Sequence, residues 1–220
     1  MPVQKKNSLI QFIVNHKISV LLVSILMIIL VPPFLHGDSF IGDLYLKINF
    51  LFIVLSCYLI IHSIVIYRYI SIVTFILILI NIFIQNDILD YVSQFGLSIV
   101  IIHAFILVLR AAISLKGETK NLILVSITGY MIIGLIGGFL SAILEYIYPN
   151  SFYHSTGIEL DLYNFIYYGY VTMTTLGYGD IIPITYKSQA LALFLVIIGQ
   201  LFLVVIMAIN IAKFMQKRTK

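Results

Sequence analysis

A short stretch rich in threonine and glycine, residues 172–180, reads Thr-Met-Thr-Thr-Leu-Gly-Tyr-Gly-Asp. A cation that sheds its water needs replacement oxygens, and a backbone can offer successive carbonyls only if its dihedral angles let them face one way. Glycine reaches positive φ at little steric cost, and Gly177 and Gly179 stand at alternate positions. Leu176 and Tyr178 can then point their side chains away from the carbonyls and anchor the strand. The pattern predicts a backbone that coordinates a dehydrated cation.

The elements on either side of this stretch must position it. An amphipathic run at 161–174 predicts a half-helix that ends at the stretch, and a long apolar run at 187–213 follows it. The negative end of the helix dipole near Thr174 would favour a cation there. Thr174 and Thr175 can add hydroxyl oxygens at the same level, and the alternative is that they bond back to helix carbonyls.

Composition indicates the setting. The chain has 220 residues, of which 61% are hydrophobic and 10% charged, with a mean hydropathy of +1.10. A water-soluble globular domain is therefore excluded, and we expect an all-α polytopic membrane protein. A helical span needs about 20 apolar residues, and six runs approach that length: 17–35, 46–66, 69–85, 94–114, 121–147 and 187–213. The half-helix and glycine-rich stretch fall between the last two runs, which predicts a re-entrant segment.

Basic residues predict the orientation. With the N-terminus in the cytoplasm, all of the 13 lysines and arginines except Lys47 and Lys187 lie inside. The acids lie outside except Glu118, so an acidic surround would concentrate cations at the outer mouth. Cys57 is the only cysteine, and the sequence has no Asn-x-Ser/Thr acceptor, which favours a cell membrane of the bacterial inner-membrane type.

The Thr-x-Gly-Tyr-Gly-Asp stretch resembles the selectivity filter of tetrameric potassium channels. The resemblance implies a homotetramer around the ion path, because one chain supplies a quarter of each oxygen ring. It implies K⁺ as the metal ion bound, at the filter residues Thr175, Leu176, Gly177, Tyr178 and Gly179, with Thr174 at the cavity. It implies no enzymatic activity, no cofactor and no nucleic-acid partner; membrane lipids, anionic lipid included, are the remaining partners.

The resemblance also implies supporting residues. In the family an aromatic pair, usually two tryptophans, braces the filter tyrosine at the positions of Tyr167 and Tyr168; this chain has no tryptophan, so the brace would be phenolic. Glu145 matches a glutamate that ties the outer helix to the turret, and Asp180 is the filter aspartate. Gly199 occupies a hinge position of the inner helix. Its alternative role is to make room for the pore helix.

A ridge of small residues in the fifth run, Gly134, Gly138 and Ala142, stands at intervals of four. Such ridges let helices approach closely in lipid. We expect this one to pack against the sixth span or the pore helix.

The predicted domains are a cytoplasmic segment at 1–16, a four-helix unit at 17–116, a pore domain at 117–213 and a basic tail at 214–220. Four helices before a pore suggest a voltage sensor, which needs a basic residue at every third position of its fourth helix. Steps of three back from Arg110 meet uncharged residues: Leu107, Ala104, Ile101 and Ser98. Since steep gating needs several charges per subunit, we expect weak or no voltage dependence.

Alternatives to a potassium channel remain. A non-selective cation channel on the same scaffold is disfavoured by Tyr178, which relatives that lose selectivity commonly lack. A potassium transporter subunit would carry four degenerate pore repeats, whereas this chain has one. A non-conducting scaffold or sensor is the third alternative. His62 and His103 could sense pH or only pack within the helices. Ile182, where strong binders of external tetraethylammonium have an aromatic ring, predicts weak block.

Overall fold

The computed structural model describes four parts of the chain, residues 18–35, 39–60, 65–114 and 119–218. Several sequence predictions lie outside them: the cytoplasmic segment at 1–16, a role for His62, and the last two residues of the basic tail.

The chain divides into two compact units, Met1–Thr128 and Gly129–Lys220. Among its described residues, the first unit contains five whole helices: α1 Ile18–Leu30, α2 Pro32–Leu35, α3 Ser39–Ile60, α4 Val65–Ile84 and α5 Asp87–Ser114. The boundary between the units falls inside α6, Thr119–Ile147. The finer division at residues 116 and 117 remains a prediction.

Helices α3 and α5 each begin about seven residues before the apolar runs that predicted them, at Ser39 and Asp87. In α3, Asp43 and Lys47 interrupt the apolar pattern. They stand one turn apart, however, and Lys47 Nζ lies 2.8 Å from Asp43 Oδ2. Because residues four apart share a helix face, an ion pair of this kind is compatible with an unbroken helix. The apolar pattern therefore underestimated the length of the helix.

A tight turn separates α4 from α5. Gln85 adopts a positive φ of 50°, and the side-chain oxygen of Asn81, Oδ1, accepts a hydrogen bond from the Asn86 amide at 3.1 Å. The Asn86 side chain in turn accepts from the Leu89 amide at 3.2 Å and caps the first turn of α5. Gln85 and Asn86 thus form the turn, and Asp87 begins α5.

The second unit contains the rest of α6, two short strands and two further helices: β1 Phe152–His154, α7 Leu162–Met173, β2 Ile181–Pro183 and α8 Tyr186–Arg218. The strands pair antiparallel, with His154 opposite Ile181. The ring of Phe152 meets Phe165 and Tyr168 edge to face, with ring centroids 5.4 and 5.1 Å apart. This aromatic cluster packs the strands against α7.

Within the described residues, five helices are long and apolar enough to cross a membrane: Ile41–Ile60, Val65–Ile84, Ile88–Ile113, Leu122–Ile147 and Tyr186–Ala212. An all-α, multi-pass membrane protein fits this pattern. Helix α1 corresponds to the run at 17–35 and is shorter than a span over the residues described. Six spans, the re-entrant segment and the orientation of the termini remain predictions.

Candidate ion-conduction site

Helix α7 presents its C-terminus to the glycine-rich stretch. Its N-terminus is capped by Asp161, whose side chain accepts a hydrogen bond from the Asn164 amide at 2.8 Å. Its last turn closes at Thr174, whose amide and hydroxyl both donate to the Tyr170 carbonyl, at 3.0 and 2.7 Å. The hydroxyl of Thr174 is therefore bonded back to the helix, and only its lone pairs remain for another ligand.

The backbone after α7 alternates between left-handed residues, which have positive φ, and residues with negative φ. Thr175, Gly177 and Gly179 have positive φ values of 63°, 58° and 79°, while Leu176 and Tyr178 between them do not. Positive φ at the glycines follows from the sequence. Thr175 is β-branched, so a left-handed backbone there is strained. This strain at the inner end of the stretch is a feature that sequence reasoning missed.

Hydrogen bonds from this backbone to α7 show which way its carbonyls face. The Thr175 amide donates to Thr172 O at 3.0 Å, and the Leu176 and Gly177 amides donate to Val171 O at 3.0 and 3.5 Å. In a trans peptide the N–H and the preceding C=O point in opposite directions. The carbonyls of residues 174, 175 and 176 therefore face away from α7. Three successive carbonyl oxygens on one side of the chain can replace water around a cation.

The side chains of the stretch are open. Leu176 is 58% exposed and Tyr178 is 67% exposed. The sequence suggested that both side chains anchor the backbone. Within the described chain neither of them does. An added Cβ at Gly177 or Gly179 would meet no atom within 4 Å, so at both positions the positive φ is the constraint.

Asp180 fastens the outer end of the stretch. Its Oδ2 accepts a hydrogen bond from the Tyr167 hydroxyl at 2.6 Å, and its Oδ1 accepts one from the Ile181 amide at 3.0 Å. Its carbonyl accepts from the Ser155 amide at 2.8 Å. Partial burial raises the pKa of Asp180, but these hydrogen bonds and nearby His154 outweigh it, and the net pKa is lowered. Asp180 therefore joins α7, the stretch and the β1 end.

The two tyrosines of the aromatic pair on α7, Tyr167 and Tyr168, make different contacts. The Tyr167 hydroxyl donates to Asp180 Oδ2. A brace on the Tyr178 of neighbouring subunits, which the resemblance implies for both tyrosines, remains a prediction. Tyr168 is only 4% exposed and packs its ring against Phe152. Its hydroxyl has no hydrogen bond of ordinary geometry within the described chain. In a single chain, Tyr168 supports the helix and strand packing.

Glu145 fixes the turn after α6. Its two carboxylate oxygens accept hydrogen bonds from three successive amides, those of Asn150 at 2.7 Å, Ser151 at 2.9 Å and Phe152 at 3.0 Å. This ties the end of α6 to β1, and a role for Glu145 in supporting a filter remains a prediction.

Sequence reasoning missed the partner of this turn. Ser188 is fully buried, and its hydroxyl donates to Ser151 O at 2.7 Å. The Ile184 amide also donates to Ser151 O, at 2.9 Å, and Lys187 Nζ lies 3.1 Å from the ring centroid of Tyr148. These contacts attach the start of α8 to the same turn.

The predicted glycine ridge on α6 packs against α7. A Cβ at Gly138 would lie 2.5 Å from the Ile166 Cα, and one at Gly134 would collide with the Tyr170 ring. On the facing side, a Cβ at Gly169 would lie 2.5 Å from Gly138 N. The Tyr170 hydroxyl donates to Met131 O at 2.6 Å. Helix α7, the predicted pore helix, is thus the partner of the ridge.

Gly199 on α8 abuts the end of α7. A Cβ there would lie 2.6 Å from Met173 Cγ and 2.8 Å from Met173 O. Of the two roles left open by the sequence, this geometry supports close approach to the pore helix. The hinge remains a prediction.

In the first unit, α5 carries uncharged residues where a voltage sensor would carry cations. Ser98, Ile101 and Ala104 are at most 6% exposed. The neighbouring His103 is also buried and stacks on Tyr67, with ring centroids 3.6 Å apart. Arg110 is exposed near the end of the helix. The three buried positions that lie at intervals of three before Arg110, namely Ser98, Ile101 and Ala104, therefore hold no basic side chain.

A charged cluster in the first unit was also missed. The sequence had placed Lys47 among the outer charges, but its side chain is only 8% exposed. Besides Asp43, its Nζ lies 3.6 Å from Asp90 Oδ2, and Asp90 accepts a hydrogen bond from Asn81. The cluster joins α3, α4 and α5, and the i,i+4 spacing of Asp43 and Lys47 was its one signal in the sequence.

Comparison with known proteins identifies part of the chain. Residues 127–217, which contain most of α6 and all of β1, α7, the glycine-rich stretch, β2 and most of α8, match a family model described as an ion channel. No curated protein and no solved structure gave a significant match. The match and the apolar helices support a multi-pass membrane protein with an ion channel domain in its second unit.

Proposed function

We propose that this chain is one subunit of a homotetrameric, potassium-selective channel whose first unit lacks an intact voltage sensor. K⁺ dehydrates at residues 175–179 and moves passively by displacement between adjacent carbonyl sites. The observation that carries the proposal is the alternating backbone of Thr175, Gly177 and Gly179, with the carbonyls of 174–176 facing away from α7. It occurs inside the segment that matches the ion channel family.

The electrostatics of the second unit favour a cation at this point. The C-terminal end of α7 carries the negative end of its helix dipole, at the level of Thr174. At the other end of the stretch, the lowered pKa keeps Asp180 ionised at neutral pH. A cation on the axis would thus meet negative potential at both ends of the carbonyl row.

A tetramer follows from the open side of the stretch. One chain contributes one carbonyl at each level, and dehydrated K⁺ needs a ring of them. The exposed side chains of Leu176 and Tyr178 would then contact neighbouring subunits. Cyclic symmetry would place four copies of each around the axis.

One observation favours a non-selective cation channel as the second candidate. Tyr178 is not braced within the chain, and the aromatic pair beside it is phenolic, with Tyr167 already bonded to Asp180. If neighbouring subunits did not hold Tyr178, the carbonyl sites would relax and discriminate less between K⁺ and Na⁺.

The deciding experiment is current from purified protein in planar bilayers under a K⁺/Na⁺ gradient, stepped across voltage. We expect reversal near the K⁺ equilibrium potential with a shallow dependence of open probability on voltage. Reversal near zero would favour the non-selective channel. Absence of current from correctly assembled tetramers would favour the scaffold. A steep open-probability curve would contradict the lack of a voltage sensor.

A further inference from the structure

The first unit contains a cavity of about 480 Å³ between α1 and α3. Its walls are mostly apolar, with Val20, Val23 and Met27 on α1 facing Ile48 and Phe52 on α3. Each of these five side chains is about half exposed at the rim. The volume lies within the range of small-molecule sites in proteins, about 300–1,000 Å³.

One polar group in this cavity has no partner. Asn49 lines the cavity and is only 6% exposed. Its amide nitrogen donates to the Tyr45 hydroxyl at 3.1 Å, and that hydroxyl donates to Met27 O at 3.0 Å. The Ser24 hydroxyl donates to Val20 O at 2.9 Å. The side-chain oxygen of Asn49, Oδ1, is buried and has no hydrogen bond to any described residue.

An unpaired acceptor at this position costs free energy that water cannot offset. Buried carbonyl oxygens are nearly always hydrogen-bonded, and one left without a partner carries its full desolvation penalty. α1 and α3 are both apolar, and α3 is long enough to span a membrane, so hydrocarbon is the medium at their surface. A bound molecule that donates one hydrogen bond would remove the penalty.

We propose that this cavity binds an uncharged, hydroxyl-bearing lipid, whose apolar chain fills the space between α1 and α3 and whose hydroxyl donates to Asn49 Oδ1. The lining residues are all uncharged, so the cavity offers no partner for an anionic headgroup. The Ser24 and Tyr45 hydroxyls already donate their hydrogens to backbone carbonyls of the protein. The remaining group, Asn49 Oδ1, is an acceptor, so a ligand that binds it must donate a hydrogen bond. The proposal does not depend on potassium conduction.

The absence of tryptophan makes a direct test possible. Phe52→Trp places a single fluorophore at the rim of the cavity, in the full-length protein reconstituted in lipid nanodiscs. Two quenchers with the same chain and bromine, ω-bromoundecanol and bromoundecane, differ only in the hydroxyl. At equal mole fraction in the membrane, we expect half-maximal quenching by the alcohol at a concentration about 3–10-fold lower, the gain typical of one hydrogen bond.

Matched variants separate binding from partitioning into the membrane. Asn49→Leu, in the Phe52→Trp background, removes the acceptor at similar volume and should bring the alcohol and the alkane to within about twofold of each other. Val23→Phe fills the cavity from α1, leaves Asn49 in place and should abolish saturable quenching by either probe. Phe83→Trp on α4, 85% exposed, reports ordinary lipid contact and should show no preference for the alcohol.

Several outcomes would overturn the proposal. One is an equal response to alcohol and alkane in the Phe52→Trp protein. Another is a preference that survives Asn49→Leu, or that appears equally at Phe83→Trp. Quenching that does not saturate, or that is indifferent to Val23→Phe, would mean that the cavity is closed or is filled by another part of the chain. If Asn49→Leu fails to fold, the Val23→Phe and Phe83→Trp comparisons still decide.

Discussion

Charged side chains bind different partners in the two units. In the first unit, Lys47 pairs with Asp43 and Asp90, so side chains hold one another and join helix to helix. In the second unit, Glu145 and Asp180 bind main-chain amides and a tyrosine hydroxyl, so carboxylates hold loop backbone in place. The first arrangement secures helix packing, and the second secures a backbone conformation. A carbonyl ion site needs the second.

The difference extends to the spans themselves. The buried stripe of α5 is uncharged at Ser98, Ile101 and Ala104, so a membrane potential would find no charged side chain to move at these positions. In the second unit, by contrast, the strain at Thr175 sits where the proposed ion would bind. Strained backbone persists only when its surroundings over-determine it. The amides bonded to Val171 and Thr172, together with Asp180, provide that constraint.

The largest effect should come from the glycine-rich stretch. Gly177→Ala places a Cβ on a residue with φ of 58°, which costs roughly 1–2 kcal/mol in each subunit of the proposed tetramer. We expect potassium current in bilayers to fall by at least about tenfold. Gly157→Ala is the matched control, because its φ of 72° carries the same strain outside the stretch, also with open space around it. Equal losses in both variants would mean that the stretch has no special role.

Weakening the hydrogen bonds between Glu145 and the turn after α6 should destabilise the second unit. Glu145→Gln keeps the size of the side chain but leaves one carbonyl oxygen for three amide donors. We expect a loss of about 1–3 kcal/mol, read as a lower Tm in detergent. Glu159→Gln changes the same charge at an exposed position and should leave Tm unchanged. A Glu145→Gln protein as stable as the parent would show that the amides find other acceptors.

A smaller effect is expected at the outer end of the stretch. Tyr167→Phe removes the hydrogen bond to Asp180 and keeps the ring, which should weaken sustained current or K⁺ selectivity by a few-fold. Tyr168→Phe is the matched comparison in the single chain, where its hydroxyl is unpartnered. If Tyr168→Phe had the larger effect, the packing around the buried Tyr168 hydroxyl, and not the bond between Tyr167 and Asp180, would control the conformation of the stretch.

The pH dependence of this contact follows from the lowered pKa of Asp180. A carboxyl group whose folded pKa lies below its unfolded value contributes stability above the unfolded pKa, about 3.9, and loses it as pH falls through the folded value. The difference between the parent and Tyr167→Phe should therefore be the same at pH 7 and pH 5. A difference that disappears between these values would indicate that another group controls the contact.

The smallest effect should be on voltage dependence. Arg110→Gln removes the last basic residue of α5 and should leave the slope of open probability against voltage unchanged, because this exposed side chain lies at the end of the helix. Open probability is measured in bilayers across ±100 mV, a range in which one charge crossing the whole field would gain or lose roughly 2.3 kcal/mol. A shallower slope in Arg110→Gln would make it a gating charge and break the contrast between the units.

The sequence predicted the elements of the site well where local rules decide. The half-helix predicted at 161–174 is α7, Leu162–Met173, because Asp161 caps it and the glycines beyond it cannot extend it favourably. Positive φ at Gly177 and Gly179 follows from residue type. The resemblance singled out Glu145 as a residue that ties the outer helix to the turret; in the structure its carboxylate accepts hydrogen bonds from the turn after α6, and its role in supporting a filter remains a prediction.

Features that depend on tertiary contacts could not be predicted. The left-handed backbone of Thr175 is imposed by the amides after it, which bond to α7. Tyr167 and Asp180 stand 13 residues apart, and no periodicity pairs them. Burial of Lys47 was missed because hydropathy counts a lysine as an interruption, although Asp43 and Asp90 neutralise it within the helix bundle.

The β1 and β2 pairing has a mechanical consequence. It joins Phe152 to Pro183 and His154 to Ile181, so the chain between them, with α7 and the glycine-rich stretch, is closed into a ring. Cα atoms of paired antiparallel residues lie about 5 Å apart. A force that separates the facing ends of α6 and α8 is therefore borne by the hydrogen bonds of Ile184 and Ser188 to Ser151 O and by this two-stranded ladder, which such a force would open from its Phe152–Pro183 end. The stretch inside the ring is relieved of that load until the ladder breaks.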